Sequence, residues 1–177
     1  SIVDREPKIT RDRVEGNFIL GEKTFLLIDT AAVDLNSKRE IDIKIKTQTQ
    51  IAIVSADVLF LVIDGKIGFS HRDDTLFRWL KKFNKPKIIL FNKSDTKEAK
   101  INFENIKSSN LKPVISLSVE HNLGLEVLYK YLQDFSHRKK KVEKPNLVPE
   151  IGAQIKISIV GRPNTGKSTL INALVGE

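Results

Sequence analysis

The chain has 177 residues, 40% of them hydrophobic, which is enough for one well-buried α/β domain with a short extension. Its longest apolar run, Val58 to Ile63, is far too short to span a bilayer, its start has no signal-peptide pattern, and the absence of cysteine excludes disulfides and thiolate metal sites. These features read as a cytoplasmic protein, and a chain that starts at Ser1 and has no methionine reads as a fragment, or as a sequence from which residues are missing. The formal net charge of +8 suits a polyanionic partner, nucleic acid or an acidic membrane surface, and equally a plain solvated basic face.

The first predicted elements are two apolar runs, 17–20 and 24–28, which Gly21-Glu22-Lys23 joins as a hairpin. The segment 41–54 points two ways. Ile41, Ile43 and Ile45 alternate like a strand, yet a crossover to the buried run that follows favours a helix. The runs 57–64, 87–91 and 114–117 are short and nearly continuous in apolar residues, as strands of a parallel sheet covered on both faces are. Between and after them, 74–83, 101–108 and 125–135 carry apolar residues at helical spacing, so strands and helices alternate as in a doubly wound sheet. The stretch 136–152, with the basic run His137-Arg138-Lys139-Lys140-Lys141 followed by Pro145 and Pro149, reads as an exposed linker. A last strand then alternates Ile155, Ile157 and Ile159 with polar residues, and a helix with Leu170, Ile171, Leu174 and Val175 on one face closes the sequence. The expected organisation is a body over 1–135, a basic linker over 136–153 and a strand-loop-helix unit over 154–177.

Between that last strand and helix lies Gly161-Arg162-Pro163-Asn164-Thr165-Gly166-Lys167-Ser168, a complete G-x-x-x-x-G-K-S phosphate loop. Its backbone N–H groups and the helix N-terminus behind it suit phosphates, and Lys167 and Ser168 reach the terminal phosphates and Mg2+. Asn164, Gly166, Lys167, Ser168 and Thr169 are therefore candidate nucleotide contacts. The loop stands late in the chain, after every other candidate motif, so the expected fold is a phosphate-loop NTPase-like α/β sheet with circularly permuted motif order.

Asn92-Lys93-Ser94-Asp95 follows the strand 87–91, where the loops of a parallel sheet form a ligand crevice. A carboxylate at Asp95 accepts hydrogen bonds from the ring N–H and the exocyclic amine of guanine, a donor pair that adenine lacks there. Asn92 is placed to bond the base edge and the Lys93 stem to cover its face. Asp29-Thr30-Ala31-Ala32 occupies the place of a D-x-x-G element, with Asp29 either supporting Mg2+ through water or capping a strand end. Thr10 either supplies a Mg2+-binding switch hydroxyl or is an ordinary solvated residue. Ser118-Val119-Glu120 either brings backbone N–H groups to the guanine carbonyl or forms a plain strand-to-helix turn.

Together these residues resemble the EngA (Der) family of tandem GTPases that assist assembly of the large ribosomal subunit, over nearly the whole chain. Pro7 with Thr10-Arg11-Asp12-Arg13 looks like the first switch of that family and Asp29-Thr30-Ala31 like its second. Asn92 to Asp95 looks like its base-selecting motif, and Ser118 with Glu120-His121-Asn122-Leu123-Gly124 like its last nucleotide loop. Lys8 and Ala32 stand where the family usually has glycine, and Val119 where it usually has alanine. The resemblance implies a first GTPase domain without its own phosphate loop, then an interdomain linker and the opening of a second domain. A single circularly permuted domain is the other account, and in both the late loop completes the fold within the chain or by exchange with a neighbour. The implied activity is GTP binding and hydrolysis with GTP or GDP, Mg2+ and, through Asn164, K+ as cofactors. Lys167 and Thr10 would be catalytic, Ser168, Thr10 and Asp29 would serve the metal, and the large ribosomal subunit and its RNA would be the partners. A catalytically inactive RNA-binding scaffold is the alternative.

Overall fold

The computed structural model describes residues 15–142 and 154–176. β1 (Glu15–Leu20) and β2 (Lys23–Asp29) form the expected hairpin about Gly21, whose φ of 63° suits the tight turn. There follow α1 (Glu40–Ser55), β3 (Val58–Asp64), α2 (His71–Lys81), β4 (Lys87–Asn92), α3 (Lys97–Lys107), β5 (Val114–Ser116), α4 (Leu125–Val142), β6 (Ile155–Gly161) and α5 (Lys167–Val175). The six strands form one sheet in the order β1-β2-β6-β3-β4-β5, parallel except for β1.

The last strand in sequence is thus central in space, with β6 pairing in parallel with β2 on one side and β3 on the other. Closure takes place within one chain. Side chains alternate across the sheet with the two-residue period of a strand. Val58, Phe60 and Val62 face a core shared with α4 and α5, whereas Leu59, Leu61 and Ile63 face a second core under α1, α2 and α3. Ile157 is fully buried between β2 and β3. Truncation there leaves a cavity in the middle of the sheet, so Ile157→Ala is expected to lower unfolding stability by about 2–5 kcal/mol, read as a lower denaturant midpoint at unchanged slope.

The ambiguous segment 41–54 is helical. It connects β2 to β3, two parallel strands flanking β6, and such a crossover is made by a helix, which overrides the β-branched pattern. α1 buries Asp42, Thr49, Ala52 and Ile53 and leaves Ile41, Ile43, Ile51 and Val54 about half exposed. The expected linker also starts later than the sequence suggested, because α4 continues to Val142 and takes the basic run into its last turns. Lys and Arg are good helix formers, and positive charge is favoured at a helix C-terminus. Lys139 is tied down there, its Nζ 2.9 Å from Asp57 Oδ1, while Asp57 Oδ2 accepts the Lys156 N–H at the start of β6. The rest of the proposed linker, from Glu143, lies outside the described residues. Among the described residues no helix is long and apolar enough to cross a membrane.

Candidate nucleotide site

β6 delivers the phosphate loop to the C-terminal edge of the parallel strands, next to the ends of β2, β3 and β4. Two glycines shape it. A Cβ at Gly161 would sit 2.6 Å from the Val62 carbonyl oxygen, and Gly166 has φ 94° with the Asn92 amide nitrogen pressed against the space a Cβ would fill. α5 starts immediately after, with no side-chain cap and no acidic residue in its first turn, so its leading N–H groups are presented to an anion.

Lys167 Nζ donates to the Arg162 carbonyl at 2.9 Å, and Thr165 Oγ1 donates to the same oxygen at 3.0 Å. Burial pushes the Lys167 pKa down, against an opposing pull from Asp29. An under-solvated cation resting on a neutral carbonyl is poised for a phosphate, which would restore the preference for the charged form. Ser168 Oγ donates to Asp29 Oδ2 at 2.8 Å, and the other carboxylate oxygen, Asp29 Oδ1, is buried without a partner. That orphaned oxygen beside a serine hydroxyl fits a hydrated Mg2+ shared with phosphate oxygens, which needs few protein ligands. Thr30 fixes the strand end by donating from both N and Oγ1 to the Ile159 carbonyl, at 3.2 and 2.8 Å. Ala32 is outside the set of positive-φ residues, so alanine carries no backbone strain at this place.

The base-side loop is braced against the phosphate loop. Asn92, almost fully buried, donates from Nδ2 to the Thr165 carbonyl at 2.9 Å and accepts the Val119 N–H on Oδ1 at 3.1 Å. Both ends of this amide are engaged by protein, so Asn92 joins the two loops. Lys93, at φ 61°, donates from Nζ to the Asn164 carbonyl at 2.7 Å and pairs with Asp64 at 2.6 Å. Ser118-Val119-Glu120 reads from the sequence either as offering N–H groups to the base or as a plain strand-to-helix turn. The N–H groups of Ser118 and Val119 bond Leu123 O and Asn92 Oδ1, and Ser118 donates from Oγ to Asp95 Oδ1 at 2.7 Å. That hydrogen bond leads the causes that hold the Asp95 pKa below the ordinary carboxylate value, with His121, 3.6 Å away, adding to it. Asp95 therefore stays an ionised, partly accessible acceptor.

The fold brings together Asp29, Asn92, Lys93, Asp95, Ser118, Val119, Asn164, Gly166, Lys167, Ser168 and Thr169. Ser168 and Thr169 lie exposed in the first turn of α5. Thr10 and the rest of the expected first switch lie outside the described residues. Sequence reading missed Asp64 and Asp73. Asp64 ends β3 and holds Lys93, and a carboxylate at the C-terminal edge of a central strand was the available signal. Asp73, fully buried at the start of α2, accepts Arg162 Nε at 2.8 Å while completing a capping box with Ser70, and so anchors the beginning of the phosphate loop. Nothing local in the sequence marked that pair.

Residues 1–93 and 156–177 match the family described as 50S ribosome-binding GTPase. The chain belongs to this GTPase family. The two matched segments, far apart in sequence, are the ones that the sheet reunites around β6. Among curated relatives, a GTPase Der of Bradyrhizobium sp. strain BTAi1 is 38% identical, and one of Nitrobacter winogradskyi is 34% identical. Both alignments span 100% of this chain, but 40% and 39% of the relatives. The chain thus spans about two-fifths of the length of these GTPases. Among solved structures, Aquifex aeolicus Era bound to GDP·AlF4− is similar with a TM-score of 0.59 and 27% identity, over 71% of this chain and 45% of that one. Era in complex with MgGDPNP and nucleotides 1506–1542 of 16S ribosomal RNA gives 0.57 and 25%, over 80% and 48%.

Proposed function

We propose that this chain binds GTP and GDP with Mg2+, hydrolyses GTP, and works in the cytoplasm in assembly of the large ribosomal subunit. One observation carries the reading. The phosphate loop and the Asn92–Asp95 loop are joined in one molecule by Asn92 to Thr165 and Lys93 to Asn164. Asp95 would select guanine, Lys93 would cover the base, and Lys167 would neutralise the β- and γ-phosphates. Ser168 would hold Mg2+ directly and Asp29 through water, with Thr10 as the switch ligand. The metal supplies charge neutralisation at the phosphates, and the protein contributes positioning and a prearranged field. Asn164 would favour K+ over Na+ as an accessory cation. Family membership supports the GTPase reading, and the Era complex with ribosomal RNA supports an RNA-bound setting.

Titration with fluorescent GDP and GTP in the presence of Mg2+ is expected to give saturable binding, with faster phosphate release in K+ than in Na+ buffer. Lys167→Ala removes a charge-assisted contact and is expected to weaken binding by about 10- to 100-fold. Absence of saturable binding would sink the proposal. Binding without phosphate release would leave a nucleotide-bound module that does not turn over.

A further inference from the structure

Away from the nucleotide site, α1 and α2 flank a groove of about 390 Å³, within the roughly 300–1,000 Å³ typical of ligand sites. Its apolar lining comes from Trp79 of α2 and Leu35 of the connection between β2 and α1. Trp79 is half-buried and held edge-on by Phe83, with ring centroids 5.4 Å apart and planes at 86°, which fixes the indole. The rim carries Lys46 of α1 with Arg78 and Lys82 of α2, against the single carboxylate of Asp74. Arg78 already satisfies that carboxylate at 2.8 Å, whereas Lys46 and Lys82 make no ion pair among the described residues.

A fixed aromatic plane ringed by flexible ammonium groups matches a ligand that has planar rings and regularly spaced anions. Single-stranded nucleic acid has both, and its bases are free to leave the stack and lie on an indole. An acidic peptide would satisfy the rim and leave Trp79 without a partner. We propose that the groove between α1 and α2 binds single-stranded RNA, one base against Trp79 and flanking phosphates on Lys46 and Lys82. The proposal rests on the reading of this chain as RNA-associated, and it requires no GTP hydrolysis. None of the groove residues belongs to the nucleotide site, so both can be filled together.

Trp79 is the sole tryptophan of the chain, so intrinsic fluorescence reports on this groove alone. The full chain with GDP and Mg2+ is titrated with single-stranded oligoribonucleotides of about ten residues, followed by tryptophan quenching and by anisotropy of end-labelled RNA. Saturable quenching is expected, with affinity falling as salt rises. Trp79→Leu is expected to weaken RNA binding by about 10-fold in anisotropy. Lys46→Glu with Lys82→Glu is expected to do at least as much, with fluorescent GDP affinity and the circular dichroism melt unchanged. RNA binding that leaves Trp79 fluorescence and both variants unaffected would overturn the groove while leaving the RNA-associated reading in place. No RNA binding at low salt would overturn both. Quenching by oligoglutamate, lost in the same charge variants, with none by RNA would make the groove a peptide site and reject the proposal.

Discussion

Gly166→Ala is expected to abolish measurable nucleotide binding, lowering affinity by about 100-fold or more, while costing the fold about 1–3 kcal/mol. Two effects combine. The residue sits at φ 94°, where a side chain is strained whatever the space around it, and the new methyl would collide with Asn92 Nδ2. Asn92 has no room to yield, because moving its amide breaks the bond to Thr165 on one side and to Val119 on the other. Relief must come from the phosphate loop, which displaces the N–H groups that would cradle phosphate. Gly176→Ala is the matched control. Its φ is 88°, but nothing lies within 4 Å of the added Cβ, so it carries the backbone strain without the collision. The control is expected to lower the melting temperature and leave fluorescent GDP affinity unchanged. Equal affinities for the two variants would show that the Asn92 contact does not shape the loop.

The same bonds explain how a loop delivered at the far end of the chain becomes part of a finished pocket. β6 is inserted between two strands that lie far earlier in the chain, and its burial in both cores fixes where the loop emerges. Side chains from the neighbouring strand ends and from α2 then lock the loop from several directions: Asn92 from β4, Lys93 with Asp64 behind it, and Asp73 of α2 through Arg162. Lys93 is held by a buried carboxylate and a loop carbonyl at once, so the Asn92–Asp95 loop and the phosphate loop are braced as one unit. Asp29 contributes differently. Its one engaged oxygen meets Ser168 and its other is unsatisfied, which leaves this edge of the pocket with capacity for a cation.

Much of this was legible in the sequence where chemistry is local. The continuous runs of β3 and β4 announce strands covered on both faces, and the phosphate loop announces itself by glycines whose geometry no other residue reproduces. α1 was ambiguous because three alternating isoleucines favour a strand, and only the sheet order supplies the crossover that overrides them. The tail of α4 was misjudged because a run of like charges reads as solvated linker, although such residues also extend a helix end and Lys139 finds Asp57 across 82 positions. The brace residues were hidden for the same reason. Asp64, Asp73 and Arg162 are ordinary charged residues until the fold removes them from water and gives them partners, and the use of Asn92 at both ends follows from distances that no local pattern encodes.

Asp95→Asn is expected to exchange base preference, lowering affinity for guanosine nucleotides on the order of 10²–10⁴-fold and raising affinity for their xanthosine counterparts. A carboxylate can accept from both guanine donors, the ring N–H and the exocyclic amine. An amide in its place still accepts one proton but turns a donor toward the exocyclic amine, so two donors meet. Xanthine carries a carbonyl there and reverses the mismatch. The surroundings favour a clean exchange. Asp95 is partly buried but outside both cores, and its side chain meets Ser118 Oγ at 2.7 Å and His121 at 3.6 Å. Serine can donate to the amide oxygen as it does to the carboxylate, so the side chain keeps its orientation while its charge is lost. Competition of unlabelled GDP and xanthosine diphosphate against a fluorescent nucleotide, on wild type and variant, reads the exchange. Loss of both ligands in equal measure would mean that Asp95 maintains the loop and does not read the base, and unchanged GDP affinity would place the purine elsewhere.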